Sequence, residues 1–89
     1  MNQKFRKASF YKHYFEEFYV KLNLKVQKKI IWTINLIEEL DQVPEKYLKH
    51  LEDTDGSYEI RVQLGSDIYR IFSFFDEGKL IVVINGFQK

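Results

Sequence analysis

The stretch YEIRVQLGSDIYRIFSFFDEGKLIVVINGF, residues Tyr58–Phe87, decides how the rest of the chain is read. Three runs rich in β-branched and aromatic side chains are separated by two glycine-bearing gaps, the pattern of a three-stranded antiparallel meander. The first gap is Gly65-Ser66. A two-residue loop with glycine first suits a type II′ turn, because glycine takes φ > 0 without strain. That loop predicts Leu64 opposite Asp67, Val62 opposite Tyr69, Ile60 opposite Ile71 and Arg61 opposite Arg70. The second gap, Asp76-Glu77-Gly78, reads as a three-residue type I turn with a G1 bulge, closed between Phe75 and Lys79. It predicts Ser73 opposite Ile81, Ile71 opposite Val83 and Arg70 opposite Ile84.

These registers sort the side chains. One face carries Ile60, Val62, Tyr69, Ile71, Ile81, Val83 and Phe87, and is the surface for helices to cover. The other carries Arg61 and Arg70 directly opposite each other, with Phe72, Phe74, Leu80 and Val82 further along. The chain has three arginines, and the hairpin pairs two of them. Like charges across a ladder cost roughly 0.2–1 kcal/mol, so folding alone does not favour the pair. Either Glu59 or another carboxylate neutralises them, or together they hold an anion, for which guanidinium forks and phosphate are well matched. Spacing alone leaves both readings open.

Upstream, Phe5, Ala8 and Phe10 lie among charges and predict a short strand within Lys4–Phe10. From Tyr11 the period becomes helical. Tyr11, Phe15, Phe18, Tyr19 and Leu22 form one apolar stripe, with Glu17 and Lys21 as an outward i,i+4 pair. Asn23 is placed to cap a second helix over Leu24–Leu40, whose buried stripe is Val26, Ile30, Ile34, Ile37 and Leu40. Val43-Pro44 must follow that helix rather than extend it. Trp32 projects away from the stripe, beside Lys25, Lys28 and Glu39. The expectation is that it packs under the first helix, the other reading being a partner anchor. Pro44–Leu51 reads as a turn with one helical turn. The acidic loop Glu52-Asp53-Thr54-Asp55-Gly56-Ser57 lacks the ligand spacing of a calcium site.

Eighty-nine residues make one small domain, which buries about 60–65% of its unfolded surface. A hydrophobic content of 45% supplies one core of ordinary size, and the absence of Cys excludes a disulfide scaffold, a zinc ribbon and a thiol nucleophile. No signal peptide and no membrane-span-length apolar run is visible, which fits the cytoplasm. Net charge is +1 but unevenly spread, with lysines dominating residues 1–29 and carboxylates residues 38–59. A basic lobe of this kind meets nucleic acid or an acidic partner, or is ordinary solvated surface.

No metal site, no Ser/His/Asp set and no paired catalytic carboxylates are visible, and no cofactor is expected. A cationic sheet face remains. It is suited to stabilising a pentacovalent phosphate transition state, and RNA supplies its own 2′-hydroxyl nucleophile for metal-free cleavage.

The order of strand, two helices, Lys49-His50-Leu51, Tyr58-Glu59-Ile60-Arg61-Val62, Tyr69-Arg70-Ile71, Phe74-Phe75-Asp76-Glu77-Gly78 and Gly86-Phe87-Gln88-Lys89 resembles the RelE/ParE toxin superfamily. Within it, the sequence is most similar to the phage-derived HigB-like branch of type II toxin–antitoxin systems. The resemblance covers essentially the whole chain and rests on the ordered set rather than on any single motif. It implies an α+β fold, with two N-terminal helices packed on one face of a small antiparallel sheet. It also implies a toxin that cleaves mRNA on the ribosome by 2′-hydroxyl attack, leaving a cyclic phosphate, and that a cognate antitoxin neutralises, with a helix-turn-helix protein as one form of that partner. By position, Arg61 and Arg70 resemble the family's phosphate-binding and transition-state residues. Phe87 resembles a base-stacking or site-wall aromatic, and Lys89 the first of the basic RNA-binding residues that follow.

Members of this branch normally continue past this point with a basic, Pro-containing run and a last helix, whereas the sequence ends at Lys89. The corresponding expectation is a patch of Phe72, Phe74, Leu80 and Val82 left uncovered and available for self-association or a partner segment. Two further functions stay open: a ParE-like gyrase inhibitor, which keeps the fold without the cationic set, and a catalytically inactive antitoxin-binding module.

Overall fold

The computed structural model describes residues 4–10, 14–52, 56–82 and 87–88, with backbone only for Tyr14, Ile81, Phe87 and Gln88. Its elements run β1 (Lys7–Phe10), α1 (Tyr14–Val20), α2 (Leu24–Glu39), β2 (Leu48–His50), β3 (Ser57–Leu64), β4 (Asp67–Asp76), β5 (Lys79–Val82) and β6 (Phe87–Gln88). The fold is α+β. The described strands form one mixed sheet in the order β1-β5-β4-β3-β2, with β6 pairing β4. Only the β1–β5 contact is parallel; the other described pairings are antiparallel.

The first hairpin has the register its turn chemistry predicts. Leu64 pairs with Asp67, Val62 with Tyr69, Arg61 with Arg70 and Ile60 with Ile71. Gly65 has φ of 64° while Ser66 is not in the positive region, as a type II′ turn requires.

The second hairpin departs from expectation by one residue. Asp76 pairs with Lys79, Phe75 with Leu80, Phe74 with Ile81 and Ser73 with Val82. Glu77 and Gly78 both adopt positive φ, 51° and 80°, the geometry of a two-residue type I′ turn. Sequence reasoning assigned three residues to the loop because a non-glycine residue seldom enters the left-handed region. Here the tight turn wins, since its twist matches that of the flanking strands.

A one-residue slip moves alternate side chains to the opposite face. Leu80 and Val82 therefore join Ile60, Val62, Tyr69, Ile71 and Leu48 in the core, where Ile81 and Val83 were expected. The anticipated uncovered patch loses two of its four members: Leu80 and Val82 are fully buried, while Phe72 and Phe74 are half-buried. Val83 and Ile84 lie outside the described residues.

The helical stripe enters the same core through Val26, Ile30, Ile34 and Ile37, joined by Phe15, with Phe18, Tyr19 and Leu22 packed against it. Leu40 is half-buried and serves instead as the C-cap of α2, its N–H donating to the Leu36 carbonyl. Asn23 caps the other end, its side-chain oxygen accepting from the Val26 N–H at 3.0 Å. Tyr11 and His13 lie outside the described residues.

Two charged residues tie β1 to α2. Arg6 donates to the carbonyls of Ile37, Leu40 and Asp41, satisfying acceptors that a helix end leaves open. The carboxylate of buried Glu38 accepts from the Ala8 N–H at 2.8 Å and pairs with Lys4 at 3.0 Å. The Pro44–Leu51 segment turns at Pro44, whose carbonyl accepts from Tyr47 and Leu48. It then forms β2, a strand that the sequence reading took for a helical turn. Its three residues are too few for a period to show.

Candidate functional site

On the face of the hairpin away from the core, the alternation of β3 and β4 aligns Glu59, Arg61 and Arg70. The Arg61 N–H bonds the Tyr47 carbonyl at 2.8 Å, on the β2 side. Arg61 and Arg70 are therefore a non-hydrogen-bonded pair across the ladder, the kind whose Cα atoms lie about 4.5 Å apart and whose side chains run closest. The strand register thus brings the two arginines side by side.

A carboxylate stands between them. One oxygen of Glu59, Oε1, lies 3.5 Å from the Arg61 Nε and 3.8 Å from the Arg70 Nε. The neutralising reading is realised in this arrangement, and one positive charge remains over from three ionised groups. The contacts are electrostatic rather than hydrogen-bonded. Both Nε atoms are buried and find no hydrogen-bond partner among the described residues. A buried donor without an acceptor costs about 1–3 kcal/mol. The third arginine, Arg6, is committed to the α2 terminus, which leaves the hairpin pair as the arginines open to a ligand.

Of the other residues the sequence singled out, Phe87 is brought to this site by its backbone: β6 pairs with β4 so that Phe87 lies opposite Arg70 and Gln88 opposite Tyr69. Lys89 lies outside the described residues. Trp32 does not pack under the first helix. It is 47% exposed, meets the edge of Tyr47 at 5.9 Å and 71°, and carries the Lys29 ammonium 4.3 Å from its ring centre. Its position opposite the buried stripe of α2 was legible, but its neighbour was not, because Tyr47 reaches it only through the turn after Pro44.

Sequence reasoning missed a cleft of about 330 Å³ beside the site, lined by Lys29, Thr33, Lys46, Tyr47, Arg61, Gln63 and Gly65. It lies where β3 continues past the start of β2, beside α2, and its lining residues are far apart in the chain, so no local pattern announces it.

These features define a small α+β domain with two arginines paired across one sheet face and a glutamate between them. Residues 17–89 match the family described as Phage derived protein Gp49-like (DUF891). The chain belongs to this phage-derived family, a toxin-like family of toxin–antitoxin systems. No curated protein and no solved structure matches the chain. No helix among the described residues is long and apolar enough to cross a membrane.

Proposed function

We propose that this protein is the toxin of a type II toxin–antitoxin pair and cleaves mRNA on the ribosome, as the resemblance to the HigB-like branch of the RelE/ParE superfamily implies. The observation that carries the proposal is the Arg61–Arg70 pair with its two unpartnered Nε donors. A phosphodiester seated there offers acceptor oxygens to both guanidiniums, and the pair is pre-organised for the extra charge that develops in the transition state. In the step itself the 2′-oxygen attacks the adjacent phosphorus and the bond to the 5′-oxygen breaks; the 5′-oxygen takes a proton from water, and a 2′,3′-cyclic phosphate and a 5′-hydroxyl result. Glu59 is the carboxylate at hand to take the 2′-hydroxyl proton, and it also holds the two guanidiniums at a common oxygen. The backbone of Phe87 pairs with Arg70; Phe87 is assigned the site-wall or base-stacking role and Lys89 RNA binding. The family supports an antitoxin as a partner.

A second reading has its own support. Glu59 already compensates part of the arginine charge, as it would in a binding module without catalysis. A ParE-like gyrase inhibitor would need no cationic pair. The experiment is to express the Arg61→Ala variant without antitoxin and map mRNA 5′ ends. Cleavage should fall by about a hundred- to a thousand-fold, the usual effect of losing one transition-state donor. Unchanged cut sites would show that Arg61 is not catalytic; growth arrest without mRNA cuts in the parent would favour the gyrase reading, and neither cuts nor arrest the binding module.

A further inference from the structure

We infer that the outer surface of α2 and the open edge of β3 form a track for single-stranded RNA that leads into the Arg61–Arg70 site, with Trp32 as its stacking platform. The inference rests on the RNA-cleaving reading and adds where the strand flanking the scissile phosphate lies.

Two clefts carry it, and they share a residue. The first, about 460 Å³, is lined by Lys25, Lys28, Lys29, Trp32 and Leu64. The second is the 330 Å³ cleft at the β3 edge, which contains Lys29, Lys46, Tyr47 and Arg61. Lys29 belongs to both clefts, and Arg61 belongs to both the second cleft and the arginine pair. The two clefts thus adjoin at Lys29, and the second reaches the sheet edge at Arg61. No carboxylate is found among the described residues lining either cleft.

The chemistry matches one kind of ligand. A strand of phosphates needs cations at intervals, and unpaired bases need flat faces on which to stack. Trp32 is 47% exposed, and its ring is steadied from the edge by Tyr47 and from one face by Lys29. Lys46 similarly lies 5.0 Å from the Tyr47 ring centre. Such cation–π contacts fix aromatic and lysine together while the ammonium keeps donors for phosphate. An acidic peptide would satisfy the lysines but would leave the alternation of aromatic and cation without a role. Single-stranded RNA uses both.

Trp32 is the only tryptophan in the chain, so its emission reports occupancy of the track directly. The probe is a 2′-O-methyl oligouridine 12-mer, which lacks the nucleophile and cannot be cleaved. Titration should quench Trp32, and the logarithm of affinity should fall linearly with that of salt, by about 0.7 per phosphate contacted. Removing two contacts with Lys25→Ala/Lys28→Ala should reduce the slope by about 1.4. By anisotropy of a labelled 12-mer, Trp32→Ala should weaken binding about ten-fold and Trp32→Phe less, since a smaller ring still stacks.

Binding that leaves Trp32 emission unchanged would overturn the track, as would equal quenching by a glutamate 12-mer. Because the 12-mer cannot react, the outcome is independent of catalysis. Quenching in a protein that cuts no mRNA sinks the cleavage reading and keeps the track; cleavage with unquenched Trp32 does the reverse.

Discussion

The two faces of the β3–β4 hairpin are made from alternate residues of the same strands, yet they obey different physics. On one face Ile60, Val62, Tyr69 and Ile71 are buried in a core shared with α2. There each side chain is held by apolar contact and tolerates little loss of volume. On the other face Glu59, Arg61 and Arg70 are partly buried and held by charge, with two donors unsatisfied among the described residues. The comparison teaches that the inner side of the hairpin supplies stability, while the outer side holds charges that folding alone does not favour. Residues 70 and 71 are neighbours in the chain and should therefore fail in different ways.

The largest effect is expected on the inner side. Ile71→Ala should destabilise the domain by about 2–5 kcal/mol, through lost burial and an unfilled cavity. Urea denaturation should show a lower midpoint with an unchanged slope. A loss below 1 kcal/mol would mean that the core face is less tightly packed than its burial indicates. Next comes the tie between β1 and α2. Glu38→Ala removes the acceptor of the Ala8 N–H and the partner of Lys4, at a cost of about 1–3 kcal/mol. The same denaturation assay would read it, and an unchanged midpoint would show that β1 is held by its pairing with β5 alone.

A smaller effect sharpens the outer side. Glu59→Gln keeps the shape but leaves two guanidiniums facing each other uncompensated, which should lower stability by about 0.2–1 kcal/mol. Adding phosphate should recover more stability in this variant than in the parent, measured as a thermal shift. The smallest effect lies at the turn between β4 and β5. Glu77 holds φ of 51°, and Asn enters this region more readily than Glu. Glu77→Asn should stabilise the domain by a few tenths of a kcal/mol, whereas a destabilised variant would argue against the two-residue turn.

How much of this was legible in the sequence follows from turn chemistry. Gly65-Ser66 admits one good hairpin geometry, so the Arg61–Arg70 pairing could be read from the residues alone. Asp76-Glu77-Gly78 admits two, separated by the willingness of one glutamate to take positive φ, and the reading chose the other. That single residue put Leu80 and Val82 in the core, the place expected for Ile81 and Val83. The helices were legible because Val26, Ile30, Ile34 and Ile37 repeat at helical spacing and Asn23 caps them. The clefts beside Trp32 were not, because Lys29, Lys46, Leu64 and Arg61 meet only through the tertiary fold. Glu59 was legible as a neutralising candidate, but its placement between both guanidiniums needed the strand register.

The most direct test compares Arg70→Ala with Ile71→Ala, measuring unfolding free energy and mRNA cleavage for each in parallel. The account predicts that Arg70→Ala keeps its stability within about 0.5 kcal/mol, as partly exposed substitutions usually do, while cleavage falls by about a hundred- to a thousand-fold. Ile71→Ala should lose stability, and cleavage only in proportion to the fraction unfolded. A folded Arg70→Ala that cuts mRNA at the parental rate would contradict the account, and so would one whose activity is lost only because it unfolds.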